Sequence, residues 1–431
     1  MAPSRMQPAA GRPRQTIDGR ASSYGLLGLS ILALLRCASL VVAAPNVYSD
    51  GSDGAFAPTA ATTTIDLDLA TIGSWNQPGN GNGVYDPEKW AVVFKYASVN
   101  IAAGKTVKFS NHRSGAPVVW LVQPGDITIA GAVDLSGSAY DVSGSLAIAG
   151  PGGFAGGRGY RNDIDSGCAG LGPGGGGHSG KQAGDAGYGF SGTGTLGGIM
   201  YGNARILPLI GGSGGGGGNR YSGGGGGGAI LLACAGTVTV NGTVRAKGGD
   251  GSGWNSLVTG IGSGGGIRVI ANHVAGAAAG LDATGGGTTG SVGRIRIEAN
   301  TITLTGSSAP DYTSLKPLDN DTAVLWLPDN APRIRVVTVG TESVPVDPGN
   351  RFNPPGDVVM VTTDLQPVMM QANNVPTTWL VKLRVTQRNG TSSTMDAALV
   401  SGDETSSIWQ ATLTGVPLND FVVVQARATG L

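Results

Sequence analysis

The sequence predicts an all-β chain: a parallel β-helix (solenoid) carrying a glycine-rich insertion, then a C-terminal immunoglobulin-like β-sandwich. Three observations predict it. A short phrase of alternating apolar residues occurs four times in units of about 20 residues. Glycine accounts for 77 of 431 residues and crowds the stretch 150–228. The last hundred residues lose that glycine and break into about seven short runs separated by turn residues.

The repeat is clearest between two copies. Val119-Trp-Leu-Val-Gln-Pro-Gly-Asp-Ile-Thr-Ile aligns without a gap on Ile230-Leu-Leu-Ala-Cys-Ala-Gly-Thr-Val-Thr-Val, and further copies begin at Ile267 and Ile295. Successive side chains of a strand point to opposite faces. In Ile127-Thr-Ile129, Val238-Thr-Val240 and Ile302-Thr-Leu304 the aliphatic residues are therefore expected inside, stacked on their counterparts one turn away. Thr128, Thr239 and Thr303 then form an outward ladder. Gly131 and Gly242 fall at corners, where the backbone turns sharply and positive φ is expected. Ahead of the first copy, residues 46–150 hold further strands around Ile65, 90–96 and 105–109. They read as a cap and first turns, because an open stack end exposes unpaired edges.

Between the first two clear copies lies the glycine-rich stretch 150–228. As a flexible loop it would be unusually long for a compact domain. Polyglycine strands in extended threefold form can instead pack side by side, since no side chain separates them. Phe154, Tyr160, Leu171, Tyr188, Phe190 and Ile206-Leu207 would anchor such a layer.

Residues 312–330, punctuated by proline, read as a linker. In 331–431 the runs 333–339, 357–362, 379–386, 408–413 and 421–426 alternate as strands of an immunoglobulin- or fibronectin-like sandwich, with Trp379 and Trp409 expected in its core. The whole division is 1–44 signal peptide, 45–311 β-helix with its insertion, 312–330 linker and 331–431 sandwich.

The N-terminus reads as an export signal. Arg5, Arg12, Arg14 and Arg20 precede the apolar run Gly25–Leu35, and Val41-Val-Ala-Ala44 offers small residues for cleavage after Ala43 or Ala44. Arg36 ends the apolar run too early for a membrane span, and Arg36 directly before Cys37 argues against a lipoprotein signal. No later segment is long and apolar enough to cross a bilayer. Formal net charge is zero, which argues against nucleic acid as a partner. Cleavage leaves Cys168 and Cys234. In an oxidising compartment these form a possible disulfide worth roughly 4 kcal/mol in the chain-entropy model. The alternative is a small buried residue at Cys234 and a loop thiol at Cys168.

Catalytic, cofactor-binding and metal residues are not found. His112, His178 and His273 lack a second histidine at ligand spacing. Gly211-Gly-Ser-Gly-Gly215 matches a nucleophile elbow only in form, without the strand–turn–helix it needs. Asp50-Gly-Ser-Asp53-Gly54 spaces oxygen ligands as calcium loops do but lacks the remaining carboxylates of such a loop, so it reads first as a polar turn opening the cap. Asp163-Ile-Asp165 puts two carboxylates on one side of a glycine-rich segment without a rigid frame. Arg268, Arg294 and Arg296, if outward, form a basic stripe able to touch acidic polysaccharide; otherwise they are a solvated face. Asn241-Gly-Thr243, Asn320-Asp-Thr322 and Asn389-Gly-Thr391 fit the glycosylation pattern.

The phrases Ala229-Ile-Leu-Leu and Val238-Thr-Val-Asn-Gly-Thr-Val, with glycine-rich inserts and an export signal, resemble right-handed parallel β-helix proteins of bacterial cell surfaces. Phe109-Ser-Asn-His-Arg-Ser-Gly and Gly150-Pro-Gly-Gly-Phe154 resemble exported proteins that join such a helix to a C-terminal sandwich. The likeness spans about 46–310. It implies a pectin-lyase-like fold, whose members include polysaccharide lyases, hydrolases, adhesins and phage spikes. The expectation is a non-catalytic exported structural or adhesion protein at the cell surface or outside the cell. The alternative is a carbohydrate-binding or carbohydrate-degrading β-helix. Extracellular polysaccharide or other surface proteins would be the partners, and no cofactor is expected.

Overall fold

The computed structural model describes residues 43–142, 146–159, 168–179, 182–254, 257–318, 324–349, 356–360, 365–387, 392–414, 416 and 422–430. The export signal with Cys37, Tyr160, the Asp163/Asp165 pair and the sequons at Asn320 and Asn389 lie wholly or partly outside them. The described residues are all-β, with 41% strand and 2% helix, and their largest sheet is curled and partly parallel.

Three long strands run side by side in that sheet. Ala229–Val240 pairs in parallel with Gly266–Ala277, which pairs in parallel with Arg294–Thr305. The first half of 229–240 continues the ladder through Val118–Val122 to Ala91–Tyr96, and its second half through Ile127–Ile129 to Ser98–Ile101. A second parallel sheet follows the corner: Thr62–Asp66, Thr106–Ser110, Ala132–Asp134, Thr243–Arg245 and Leu281–Asp282.

The period-two reading of the faces holds. Val238 stands between Ile127 and Val274, and Val274 pairs Ile302. These residues share one apolar cluster with Ile230, Leu232, Val107, Val133 and Val244 from both sheets. Trp120 fills its middle, fully buried against Tyr96, Phe56 and Phe109.

The ungapped repeat alignment is corrected in its first half. Ile230 pairs Val118, not Val119, while Val238 does pair Ile127. The difference sits at the bend. The inward residues flanking it are Val122 and Ile127 in 118–129, Cys234 and Val238 in 229–240, and Ala271 and Val274 in 266–277, so the bend shortens by one residue each time. A slip of one residue exchanges faces. Trp120 therefore points inward, and Val119 joins a separate outer cluster with Val93, Leu121, Leu231 and Ile270.

The corner glycines also serve differently than expected. Gly131 and Gly242 do not have positive φ. They are needed for close stacking: a β-carbon on Gly242 would strike the Gly131 carbonyl oxygen.

The described part of 150–228 is ordered by its backbone. Along 223–228 each N–H turns to a different neighbour in a cycle of three. Gly223 and Gly226 donate to Gly157 and Phe154 at 2.9 Å; Gly224 and Gly227 to Gly260 and Ser263 at 3.0 and 2.9 Å; Gly225 and Gly228 to Ser138 and Leu135 at 3.0 and 2.8 Å. The 211–217 stretch repeats the cycle toward Gly227 and Gly224, then Leu171 and Cys168. A threefold extended helix presents its amides in that rotation. Packed strands thus satisfy the donors that an apolar core could not. The layer does not end at Gly228: residues 248–252, 259–266 and 284–293 join it through bonds such as Gly249 to Gly225 at 2.7 Å and Gly286 to Gly262 at 3.0 Å.

Toward the C-terminus two antiparallel sheets face one core. One holds Glu342–Ser343, Arg333–Val339, Gln366–Asn373, Ser406–Leu413 and Ala398–Gly402 in that order; the other holds Ser392–Asp396, Leu380–Gln387 and Val422–Thr429. Val368, Met370, Leu383, Val385 and Trp409 are buried between them, and Trp379 packs at the margin. Residues 357–360 of the expected strand 357–362 are not in a strand; the rest lies outside the described residues. With strands at 342–343, 366–373, 392–396 and 398–402 beside those expected, the described residues there hold eight.

Candidate functional site

Two arrangements of polar side chains stand out, one exposed and one closed. The exposed one is the outer face of the largest sheet beyond the bend. Asn100, Thr128, Thr239, Ala275 and Thr303 lie side by side on successive strands. A parallel row contains Thr237, His273 and Thr301. Neighbouring strands are about 4.8 Å apart, so the rows set threonine hydroxyls and the Asn100 amide at strand spacing, interrupted by Ala275 and His273. His273 Nε2 lies 2.7 Å from Thr303 Oγ1, and Asp126 accepts the Thr237 N–H at 2.6 Å. The face can hydrogen-bond a flat neutral surface; it gathers no acid–base pair.

The outer face of the second parallel sheet is charged but balanced. Lys108, Asp134, Arg245 and Asp282 follow one another in register, alternating in sign. Adjacent opposite charges support a sheet.

The closed arrangement centres on the 110–116 loop. His112 Nδ1 lies 2.7 Å from Ser114 Oγ and also accepts the Ser114 N–H at 3.2 Å, the pattern of a neutral ring protonated at Nε2. The ring stacks on Tyr85 at 4.1 Å between centroids. Burial holds the His112 pKa below its usual value; Asp68 and Asp347 oppose this and Arg113 adds to it. Burial raises the Tyr85 phenol, against a hydrogen bond with Ser114. The His–Ser distance is that of a base and nucleophile. Yet Ser114 and His112 are only 3% and 4% exposed, so in this arrangement the network serves as an internal polar knot. It fixes Arg113, whose side chain leaves the loop to meet Asp357 at 2.7 Å and Asp347 at 3.7 Å in the C-terminal part.

The residues singled out in the sequence are mostly engaged internally. The basic stripe is neither exposed nor solvated. Arg268 is 1% exposed and donates to both oxygens of Glu298 at 3.0 and 3.2 Å and to the Val324 carbonyl at 2.7 Å. Arg296 reaches the same carboxylate at 3.3 Å, and Arg294 lies over the Tyr188 ring and donates to the Tyr201 carbonyl. Val324 and the glycine layer cover these positions, which sequence spacing alone could not show.

Asp53 is a turn clamp. Its carboxylate accepts the N–H groups of Gly81, Gly83 and Lys95 at 2.8, 3.1 and 2.7 Å. Burial pushes the Asp50 carboxyl up, but bonds from Ser52 and the Lys95 ammonium outweigh it and leave its pKa lowered. Among the described residues no cluster of three or more His, Cys, Asp or Glu side chains could hold a metal ion.

Cys168 and Cys234 are not bonded to one another. Cys234 points into the inner apolar cluster, with Sγ 3.4 Å from the Gly125 carbonyl, whereas Cys168 belongs to the glycine layer. Burial pushes the Cys234 thiol up to about 11. His178 lies in a two-stranded hairpin, Gly211–Gly215 in the glycine layer, and Asn241 at an exposed corner. Among the described residues no helix is long and apolar enough to cross a membrane. No protein-family model matches the chain, no curated protein is similar to it, and no solved structure matches it.

Proposed function

We propose that the protein is a non-catalytic exported structural or adhesion protein of the cell surface or extracellular space. In this reading the parallel strands wind as a right-handed β-helix, the glycine layer buttresses one flank, and an immunoglobulin-like sandwich forms the C-terminal end. The in-register stack of inner rows from Val118–Val122 to Arg294–Thr305 supports the helix. The export signal at 1–44 supports the location.

One observation carries the functional part. Reactive side chains such as Arg268, Glu298, His112 and Asp53 are held by internal bonds, while the outer row Asn100, Thr128, Thr239, Ala275 and Thr303 carries no charged side chain. Such a surface suits adhesion to an extended neutral partner. The same row favours one second reading, binding of an extracellular polysaccharide, because sugars present hydroxyls to matching donors and acceptors.

The test is a glycan-array and polysaccharide-degradation screen on the mature chain, with cell fractionation for location. The expected result is surface or extracellular recovery, with no product release from any polysaccharide. Binding on the array that Thr239→Arg abolishes would favour the second reading. Product release that disappears on changing one acidic residue would overturn the non-catalytic assignment.

A further inference from the structure

Among the described residues, several ion pairs join the C-terminal part to the parallel body. Arg113 is at their centre. Its backbone N–H donates to Asp68 at 2.6 Å, and its guanidinium reaches Asp357 at 2.7 Å and Asp347 at 3.7 Å, with 30% of its side chain exposed and 20% and 13% of theirs. Asp357 also accepts the Gly349 N–H at 2.7 Å, so the carboxylate is aimed by its own loop. A second rim lies nearby: Glu88 meets Arg333 at 3.2 Å and Arg335 at 3.6 Å, and Lys89 meets Asp329 at 3.3 Å.

An apolar contact accompanies these ion pairs. Val423 packs on Phe154 and Leu171 of the glycine layer, with Trp90 beside them. Trp90 has φ +47, donates its indole N–H to the Ser114 carbonyl at 3.1 Å and stacks on Phe154 at 6.4 Å. A bulky residue in that region is strained and persists only where its surroundings hold it. Domains of one chain move relative to one another by default unless their interface is large and hydrophobic.

We propose that this junction is an ionic clasp that opens in mild acid or high salt, releasing the C-terminal sheets from the parallel body while both stay folded. Acid acts on two kinds of group. Asp347, Asp357, Asp329 and Glu88 are the anionic partners of Arg113, Lys89, Arg333 and Arg335, so a proton added to any of them removes an ion pair. His112, faced by Tyr85, Asp68, Arg113 and Asp347, is held neutral by burial. Its pKa in the closed form is lowered, so an arrangement that lets water reach it binds a proton first. The closed form is unaffected above about 6.5 and loses stability as pH falls below that value. Salt acts by screening: the Debye length shrinks from about 10 Å at 0.1 M to about 3 Å at 1 M.

Small-angle X-ray scattering and far-UV circular dichroism on the full chain test this together. The expected result is a radius of gyration that rises between about pH 6.5 and 4, with the β spectrum unchanged, and that rises at neutral pH in 1 M NaCl. Arg113→Ala should move the opening upward by about half a pH unit or more. Asp357→Asn, which keeps the shape of the side chain, should do the same and covers the case in which Arg113→Ala misfolds. Lys382→Ala breaks the ion pair with Asp396 inside the C-terminal sheets and should leave the opening where it is. A radius that stays constant to pH 4, a radius that changes only together with loss of the β spectrum, or an equal shift from Lys382→Ala would each overturn the proposal.

Discussion

The Gly226 α-carbon faces the Gly212 carbonyl oxygen so closely that a β-carbon there would collide with it. The contact is backbone on backbone, so no side chain can rotate away. Gly226 also donates to Phe154 at 2.9 Å, while Gly212 donates to Gly227 at 2.8 Å, which locks both strands in place. Glycine here is required by distance rather than by φ.

Gly226→Ala should therefore destabilise the chain by about 3 kcal/mol, as overpacking of a rigid site does. Gly104→Ala is the contrast. Gly104 has open space around it and φ +76, so that change should cost only about 1 kcal/mol from backbone strain. Urea denaturation of the two variants checks the ordering.

Arg268 and Glu298 form a buried pair, with Arg296 on the same carboxylate. Burial lowers the Arg268 pKa and Glu298 opposes that. Glu298→Ala strands a buried guanidinium and should cost about 3–5 kcal/mol. Replacing both Arg268 and Glu298 with apolar residues should recover much of that loss, since the uncompensated charge goes too. A double-mutant cycle by equilibrium unfolding reads the difference.

The two faces of the 229–240 strand should respond unequally. Leu232 is fully buried in the inner cluster, and Leu232→Ala should cost about 2–5 kcal/mol. Thr239 is half-buried on the outer face, and Thr239→Ala should stay within about 0.5 kcal/mol. Thermal or urea unfolding measures both.

Thiol chemistry tests the cysteine assignment. Cys234 and Cys168 should both resist a maleimide in the folded chain and react after denaturation, with no Cys168–Cys234 disulfide by mass spectrometry. The raised Cys234 pKa also fixes a sign. The folded thiol holds its proton more tightly than the unfolded one, so this contribution to stability is lost as pH rises from the ordinary 9.0 to about 11. Cys234→Ala should flatten that part of the stability–pH curve.

Much of the architecture was legible because a strand alternates faces. Ile127, Val238 and Ile302 could be placed inside, and Thr128, Thr239 and Thr303 outside, from period two alone. The register of Val118–Val122 was not legible, because the bend before Ile127 is longer than the bend before Val238 and an ungapped comparison hides the extra residue. Order in the glycine layer was foreseeable from the need to satisfy its amides, but its extension to Gly286 and Gly293 was not, since those glycines are far apart along the chain. The clasp was invisible for the same reason: Arg113 and Asp357 are 244 residues apart, and nothing local couples them. The fate of the arginine stripe turned on Val324 and on Tyr201 of the glycine layer, which cover it.

The central claim is that inner rows of successive parallel strands stack side by side. Methyl–methyl nuclear Overhauser contacts in a deuterated sample with labelled Ile, Leu and Val methyls test it most directly. The account predicts contacts from Val238 to both Ile127 and Val274, from Val274 to Ile302, and from Ile230 to Val118 rather than Val119. Val238 without contacts to Ile127 and Val274, or Ile230 in contact with Val119 in place of Val118, would contradict it.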